Sequence, residues 1–96
     1  MTVLIRDIVA LVASEWGLKP EDLIAQNRSR KYSEPRQVAM LIACRLGHSH
    51  SAIGRAMNRN HATVRKNCIT AEARIERGRR ISRAVENVVR DVLERV

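Results

Sequence analysis

Apolar residues recur along this chain at helical rather than strand spacing, and the breaks between them fall at glycine, proline and asparagine. From Thr2 to Trp16, the residues Val3, Leu4, Ile8, Leu11, Val12 and Ala13 form a stripe on one helix face, which Gly17 ends. Pro20 opens a short second turn, PEDLIAQ, whose Glu21 and Asp22 suit the positive end of a helix and whose Leu23 and Ile24 reach the core. NRSRKYSE then interrupts the apolar pattern with Arg28, Arg30 and Lys31 and reads as a basic loop. Ser33 is expected to cap a third helix, with Pro35 in its first turn and Val38, Leu41, Ile42 and Leu46 at helical spacing until Gly47.

The next segment predicts a short helix from about Ser51 to Met57, a tight break at Asn58 to Asn60, and another helix beginning near His61. On that helix Val64, Cys68, Ala71 and Ile75 share one buried face. Two helices joined by a turn this short, the second carrying cations near its start, make a helix-turn-helix over about residues 51–77. After Gly78, a C-terminal amphipathic helix over about residues 79–96 carries Ile81, Val85, Val88, Val89, Val92, Leu93 and Val96. This stripe can bury against helix one or against a second subunit, and each valine contributes about 1.5 to 3 kcal/mol either way. The pattern as a whole predicts an all-α small helical bundle, a single domain over residues 1–96.

Composition supports helices. The chain is 45% hydrophobic, lacks Phe, and has one Trp and one Tyr, a core stock of aliphatic side chains that favours packed helices over sheets. Charge points to a partner: 18 Lys and Arg against 10 Asp and Glu give a net charge of +8, which favours a polyanion, nucleic acid first and an anionic membrane surface second. From Asn27 to Arg80 the only acids are Glu34, Glu72 and Glu76. The longest apolar-rich stretch, IVALVA, falls far short of the roughly 20 residues of a membrane span. The C-terminal helix has no bulky aromatics to seat it in a membrane interface.

Candidate chemistry narrows to RNHATVRKN, residues 59–67. Steps of about 100° per residue put Ala62 and Lys66 opposite Val64, with Thr63 and Arg65 on the flanks. Val64 is thus an anchor, and the polar groups face a partner. Asn60 and His61 can meet a base edge or phosphate, Thr63 a thymine methyl or phosphate, and Arg65 and Lys66 guanine O6 and N7; Arg59 adds charge beside them. An ordinary solvated helix face is the alternative reading of the same residues. Arg28, Arg30 and Lys31 can enter the minor groove or hold the backbone, or form a solvated loop. Arg36 and Gln37, at the start of helix three, suit a phosphate contact at a positive helix end, or simple exposure.

Other chemistry finds little support. Cys44 and Cys68 fall inside apolar helical patterns with no signal peptide before them, and read as reduced core thiols of a cytoplasmic protein. With His48, His50 and His61 they match no paired-cysteine zinc motif, so packed thiols and surface histidines are expected, with no metal and no cofactor. No motif places a nucleophile beside an oriented base, and the chain is not expected to be an enzyme.

RSRKYSEPRQVAMLIACRL followed by SAIGRAMNRNHATV resembles the C-terminal DNA-binding domain of the bacterial replication initiator DnaA. The shared pattern is a basic loop, a Pro-Arg-Gln start to an apolar helix containing Ala-Met, an Ile-Gly in the next helix, and an Arg-Asp-His-Thr-Thr-Val signature. The resemblance spans about residues 3–77 and implies a Trp-repressor-like fold. It implies that Arg28 matches a minor-groove arginine, that Arg36 and Gln37 match residues contacting backbone and bases, and that Asn60, His61 and Thr63 match major-groove readers. Asn60 replaces the signature's acid, Ala62 replaces a threonine, and the turn before it is one residue shorter than in many relatives. The preferred sequence is therefore expected to differ from the usual nine-base-pair box.

No GxxxxGK[ST] segment occurs in these residues, so no nucleotide-driven motor is expected. The expected function is that of a sequence-specific double-stranded DNA-binding transcription regulator in a bacterial or prophage nucleoid. The alternatives are a replication-associated protein that binds or competes for DnaA-box-like origin sites, and a protein-interaction module with nonspecific DNA affinity. A homodimer or protein partner through the C-terminal helix, reading half-sites about 34 Å apart, competes with a monomer on one asymmetric site.

Overall fold

The computed structural model describes residues 3–27 and 29–95, side chains 79 and 95 excepted, and contains among them six α-helices and no strand. These are α1 Ile5–Glu15, α2 Pro20–Ile24, α3 Ser33–Arg45, α4 His50–Met57, α5 His61–Arg77 and α6 Arg79–Arg95. The expected elements are all present, with boundary shifts that have local causes. Val3 and Leu4 precede the first helix rather than lying in it, Leu4 standing at its N-cap in extended backbone. The basic loop ends in a 3₁₀ turn, Arg30–Tyr32, that runs straight into α3. Tyr32 therefore occupies the N-cap position, and Ser33, expected there, is already helical at φ −63° and ψ −52°.

Helix α3 is the centre of the bundle. Every residue from Pro35 to Ala43 is buried, because α1, α4, α5 and α6 all pack against it. The sequence pattern anticipated a stripe through Val38, Leu41, Ile42 and Leu46. Instead Ala39, Met40 and Ala43 are buried as well, while Leu46 is 37% exposed. A helix enclosed on all sides has no polar face to show. It closes where Gly47 takes φ +97°, a left-handed conformation that costs glycine little, and where His48 N–H donates to Ala43 O at 3.1 Å.

Helix α6 lays its stripe on this core. Val85, Val88 and Val92 are buried against elements of their own chain, with Ile81 and Val89 half-buried beside them; Val96 lies outside the described residues. Among the described residues, the large apolar side chains left most open are Leu93 at 64% and Ile69 at 62%. Among the described residues, no helix is long and apolar enough to cross a membrane.

Candidate nucleic-acid interface

The helix-turn-helix is built by two caps and one close approach. Ser49 Oγ accepts Ala52 N–H at 3.0 Å and starts α4. The chain leaves α4 through Asn58, the one non-glycine residue at positive φ (60°) among those described, a conformation asparagine tolerates. Arg59 N–H then donates back to Gly54 O at 2.8 Å. The turn folds so tightly onto α4 that a Cβ at Gly54 would collide with the Arg59 carbonyl oxygen. Glycine is required there by space, since its backbone is helical.

Asn60 caps α5: its Oδ1 accepts Thr63 N–H at 2.8 Å. Beyond the cap, Val64 is fully buried while His61, Ala62, Thr63, Arg65 and Lys66 are exposed. The helical geometry inferred for this stretch thus describes its local exposure. Cys68 and Ala71 continue the buried side two turns on, and Ile75 is half-buried.

Two arginines expected at this surface are turned inward. The Arg36 guanidinium donates to Leu23 O at 2.9 Å, Asp22 O at 2.6 Å, Ala25 O at 3.0 Å, Asn27 O at 2.9 Å and Asn27 Oδ1 at 3.0 Å. Arg59 donates to Met57 O at 2.7 Å, Ile24 O at 2.9 Å and Ala25 O at 2.6 Å. The physical cause is α2. A five-residue helix leaves its last carbonyls without intrahelical partners, and these two cations supply the donors. Burial holds both guanidinium groups below their ordinary pKa, and for Arg36 the neighbouring charge of Arg59 adds to that. Arg36, expected as a phosphate contact, is 7% exposed, with its guanidinium nitrogens bonded to acceptors in the 22–27 segment.

Gln37, at 9% exposed, was expected at the same surface. Its Oε1 is the buried side-chain polar atom without a partner among the described residues, and its Nε2 is 3.5 Å from Ser33 Oγ. It lines a polar depression of about 520 Å³ between the 26–33 loop and the start of α5, together with Asn27, Ser29, Asn60, Thr63 and Asn67. Arg30 and Lys31 are exposed on the 3₁₀ turn, Lys31 Nζ lying 5.0 Å from the Tyr32 ring centre; Arg28 lies outside the described residues. Ser51 and Arg55 on α4 border His61 and Asn60 across a second depression. Arg55 and Asn67, not singled out from the sequence, line these depressions; the signal for Arg55 was its place on the first helix of the motif, the helix that crosses a DNA backbone when such a unit docks.

Electrostatics favour an anion at this surface. Among the described residues, Glu34 pairs with Arg74 at 4.0 Å and Glu72 with Arg45 at 3.6 Å, while no ion pair engages Arg30, Lys31, Arg55, Arg65 or Lys66. The three histidines differ in place. His61 is exposed, His48 Nε2 lies 2.7 Å from Val3 O, and His50 Nε2 lies 3.6 Å from Cys44 Sγ. His48 and His50 are thus half-buried rather than surface residues. Burial pushes the Cys68 thiol up to about 11, with Cys44 and Glu72 adding to it.

Comparison with known proteins bears on the same segment. A family model described as the bacterial dnaA protein helix-turn-helix matches residues 5–70. Chromosomal replication initiator protein DnaA 1 of Chlamydia trachomatis is 34% identical over 88 residues, which cover 86% of this chain and 19% of that protein. DnaA 2 of Chlamydia caviae is 37% identical over 73 residues, 74% of this chain and 16% of that protein. DnaA 1 of Chlamydia muridarum is 42% identical over 59 residues, 59% of this chain and 13% of that protein. The chain spans less than a fifth of the length of these relatives.

Proposed function

From the premise that this chain belongs to the bacterial DnaA helix-turn-helix family, a DNA-binding domain, we propose that it is a sequence-specific reader of double-stranded DNA that regulates transcription. It acts as one domain in the bacterial cytoplasm, on the nucleoid, and carries out no reaction. The observation that carries this reading is the first two turns of α5, where a capped helix start exposes His61, Thr63, Arg65 and Lys66 around the buried Val64. Those turns enter the major groove. Arg30, Lys31 and Arg55, free of ion pairs among the described residues, take phosphates on either side, and Arg28 reaches the minor groove.

A second reading has its own support. The named relatives are chromosomal replication initiator proteins, and this chain matches them over most of its own length. On this reading the chain binds or competes for DnaA-box-like origin sites. Selection of bound sequences from a random duplex library at two salt concentrations separates the two. An enriched motif unlike the box supports an independent regulator, and the box itself supports competition. Arg65→Ala and Lys66→Ala should each weaken binding, by roughly 1 to 3 kcal/mol where a base contact is lost and with a salt slope lower by about 0.9 where a phosphate contact is lost. Unchanged affinity in both variants refutes the placement of α5.

A further inference from the structure

Cys44 near the end of α3, His50 at the start of α4 and Cys68 in the middle of α5 converge on one point. Their ligand atoms, two Sγ and one imidazole nitrogen, all lie within 4.8 Å of one another. In the sequence they are separated by six and eighteen residues, outside any paired-cysteine spacing, so only the packing of three helices brings them together. We propose that these three side chains form a zinc-binding site that fastens both helices of the helix-turn-helix to the central helix α3.

Geometry and donor chemistry carry the proposal. Bonds of about 2.3 Å to sulfur and 2.0 to 2.1 Å to nitrogen place S and N roughly 3.6 Å apart across the edge of a zinc tetrahedron. Cys44 Sγ and His50 Nε2 are 3.6 Å apart. The same bonds put two sulfurs roughly 3.8 Å apart, within the 4.8 Å that bounds the group. Two thiolates and an imidazole are the soft and borderline donors that select zinc over magnesium or calcium. The site is sheltered, with Cys68 at 7% exposure and Cys44 and His50 half-buried.

Binding is an acid-releasing step. Zinc takes the Nε2 lone pair of His50, which keeps its proton on Nδ1, and forms two Zn–S bonds as Cys44 and Cys68 each give one proton to solvent. Three protein ligands leave the fourth vertex to water, so the metal exchanges rather than being locked in a closed four-ligand site. A cation at this point also reverses the electrostatic preference of Cys68 for the neutral thiol.

The test uses the whole chain, reduced with a phosphine, and cobalt(II) as a spectroscopic stand-in for zinc. One equivalent of cobalt should give a thiolate-to-metal charge-transfer band and tetrahedral d–d bands, both bleached by one equivalent of zinc. Cys44→Ser and Cys68→Ser should each diminish the charge-transfer band, and His50→Gln should weaken cobalt binding at least ten-fold. Zinc held at about 100 times its dissociation constant should raise the folded-to-unfolded ratio of the wild type about 100-fold, and do far less for His50→Gln. His50 is half-buried at a helix start, so that variant keeps the test independent of folding. Cobalt uptake without charge transfer, or uptake unaltered by His50→Gln, overturns the proposal.

Discussion

Replacing Arg36 with alanine should damage the fold, with any loss of DNA affinity following from that. The Arg36 guanidinium serves five acceptors in the 22–27 segment, and one of them, Leu23 O, is buried with a fully buried side chain beside it. Orphaning a buried carbonyl costs about 1 to 3 kcal/mol, and the four part-buried acceptors, which water can reach after small movements, add less each. Burial and the nearby charge of Arg59 disfavour the cation, so its removal returns part of this. A net loss of about 3 kcal/mol results. With a urea dependence of roughly 1 to 1.5 kcal/mol per molar for a domain this small, the unfolding midpoint should fall by roughly 2 M or more. Arg36→Lys should recover less than half, because one ammonium cannot span acceptors that a planar guanidinium reaches together. The reasoning is refuted if Arg36→Ala unfolds within about 0.5 kcal/mol of wild type while the salt slope of duplex binding drops by about 0.9, the mark of one lost phosphate contact.

Asn60→Asp should keep the α5 cap, since both side chains accept the Thr63 N–H, and should leave stability within about 0.5 kcal/mol while shifting the DNA motif selected; Asn60→Ala should cost about 1 kcal/mol by chemical denaturation. Equal destabilisation by both substitutions would refute the capping role. Cys68 should impose a pH dependence at high pH. Its thiol is raised from 9.0 to about 11 by burial and by Cys44, so the stabilisation it gives is complete below pH 9 and lost as pH rises toward 11. Against Cys68→Ala in chelator, the wild type should lose about 2 to 3 kcal/mol across that window, and parallel stability profiles would refute it.

Helical periodicity located the elements because it depends on local geometry, and it failed where enclosure or short-range continuity decided the outcome. The run VAMLIA in α3 contains two alanines and a methionine that a stripe-based reading passes over. They are buried because helices surround α3, a property of the bundle rather than of the segment. Ser33 misled as a cap because the preceding 3₁₀ turn delivers the chain in helical conformation one residue early. The α6 stripe was equally compatible with a subunit interface on energetic grounds. Packing on its own chain covers Val85, Val88 and Val92, while Leu93 lies outside that contact.

The surface was legible in the same uneven way. The exposure of residues 61–66 around Val64 follows from rotation about one helix axis, and a sequence contains that information. The inward turn of Arg36 and Arg59 does not follow from any local pattern, since Arg59 reaches carbonyls 34 and 35 residues away. One signal was present: a helix as short as PEDLI has unsatisfied carbonyls that must find donors. With Gln26 Nε2 also donating to Asn58 O at 2.5 Å, the helix-turn-helix turn and the segment leading to the basic loop are fastened to each other. A substitution at Arg59 therefore shifts two elements of the interface at once, and weakened DNA binding in such a variant would say nothing about a direct contact. Cations with inward-bonded nitrogens, Arg36 and Arg59, set the spacing of the surface. Those exposed and free of ion pairs among the described residues, Arg30, Lys31, Arg55, Arg65 and Lys66, are where a change in salt slope reads charge on DNA.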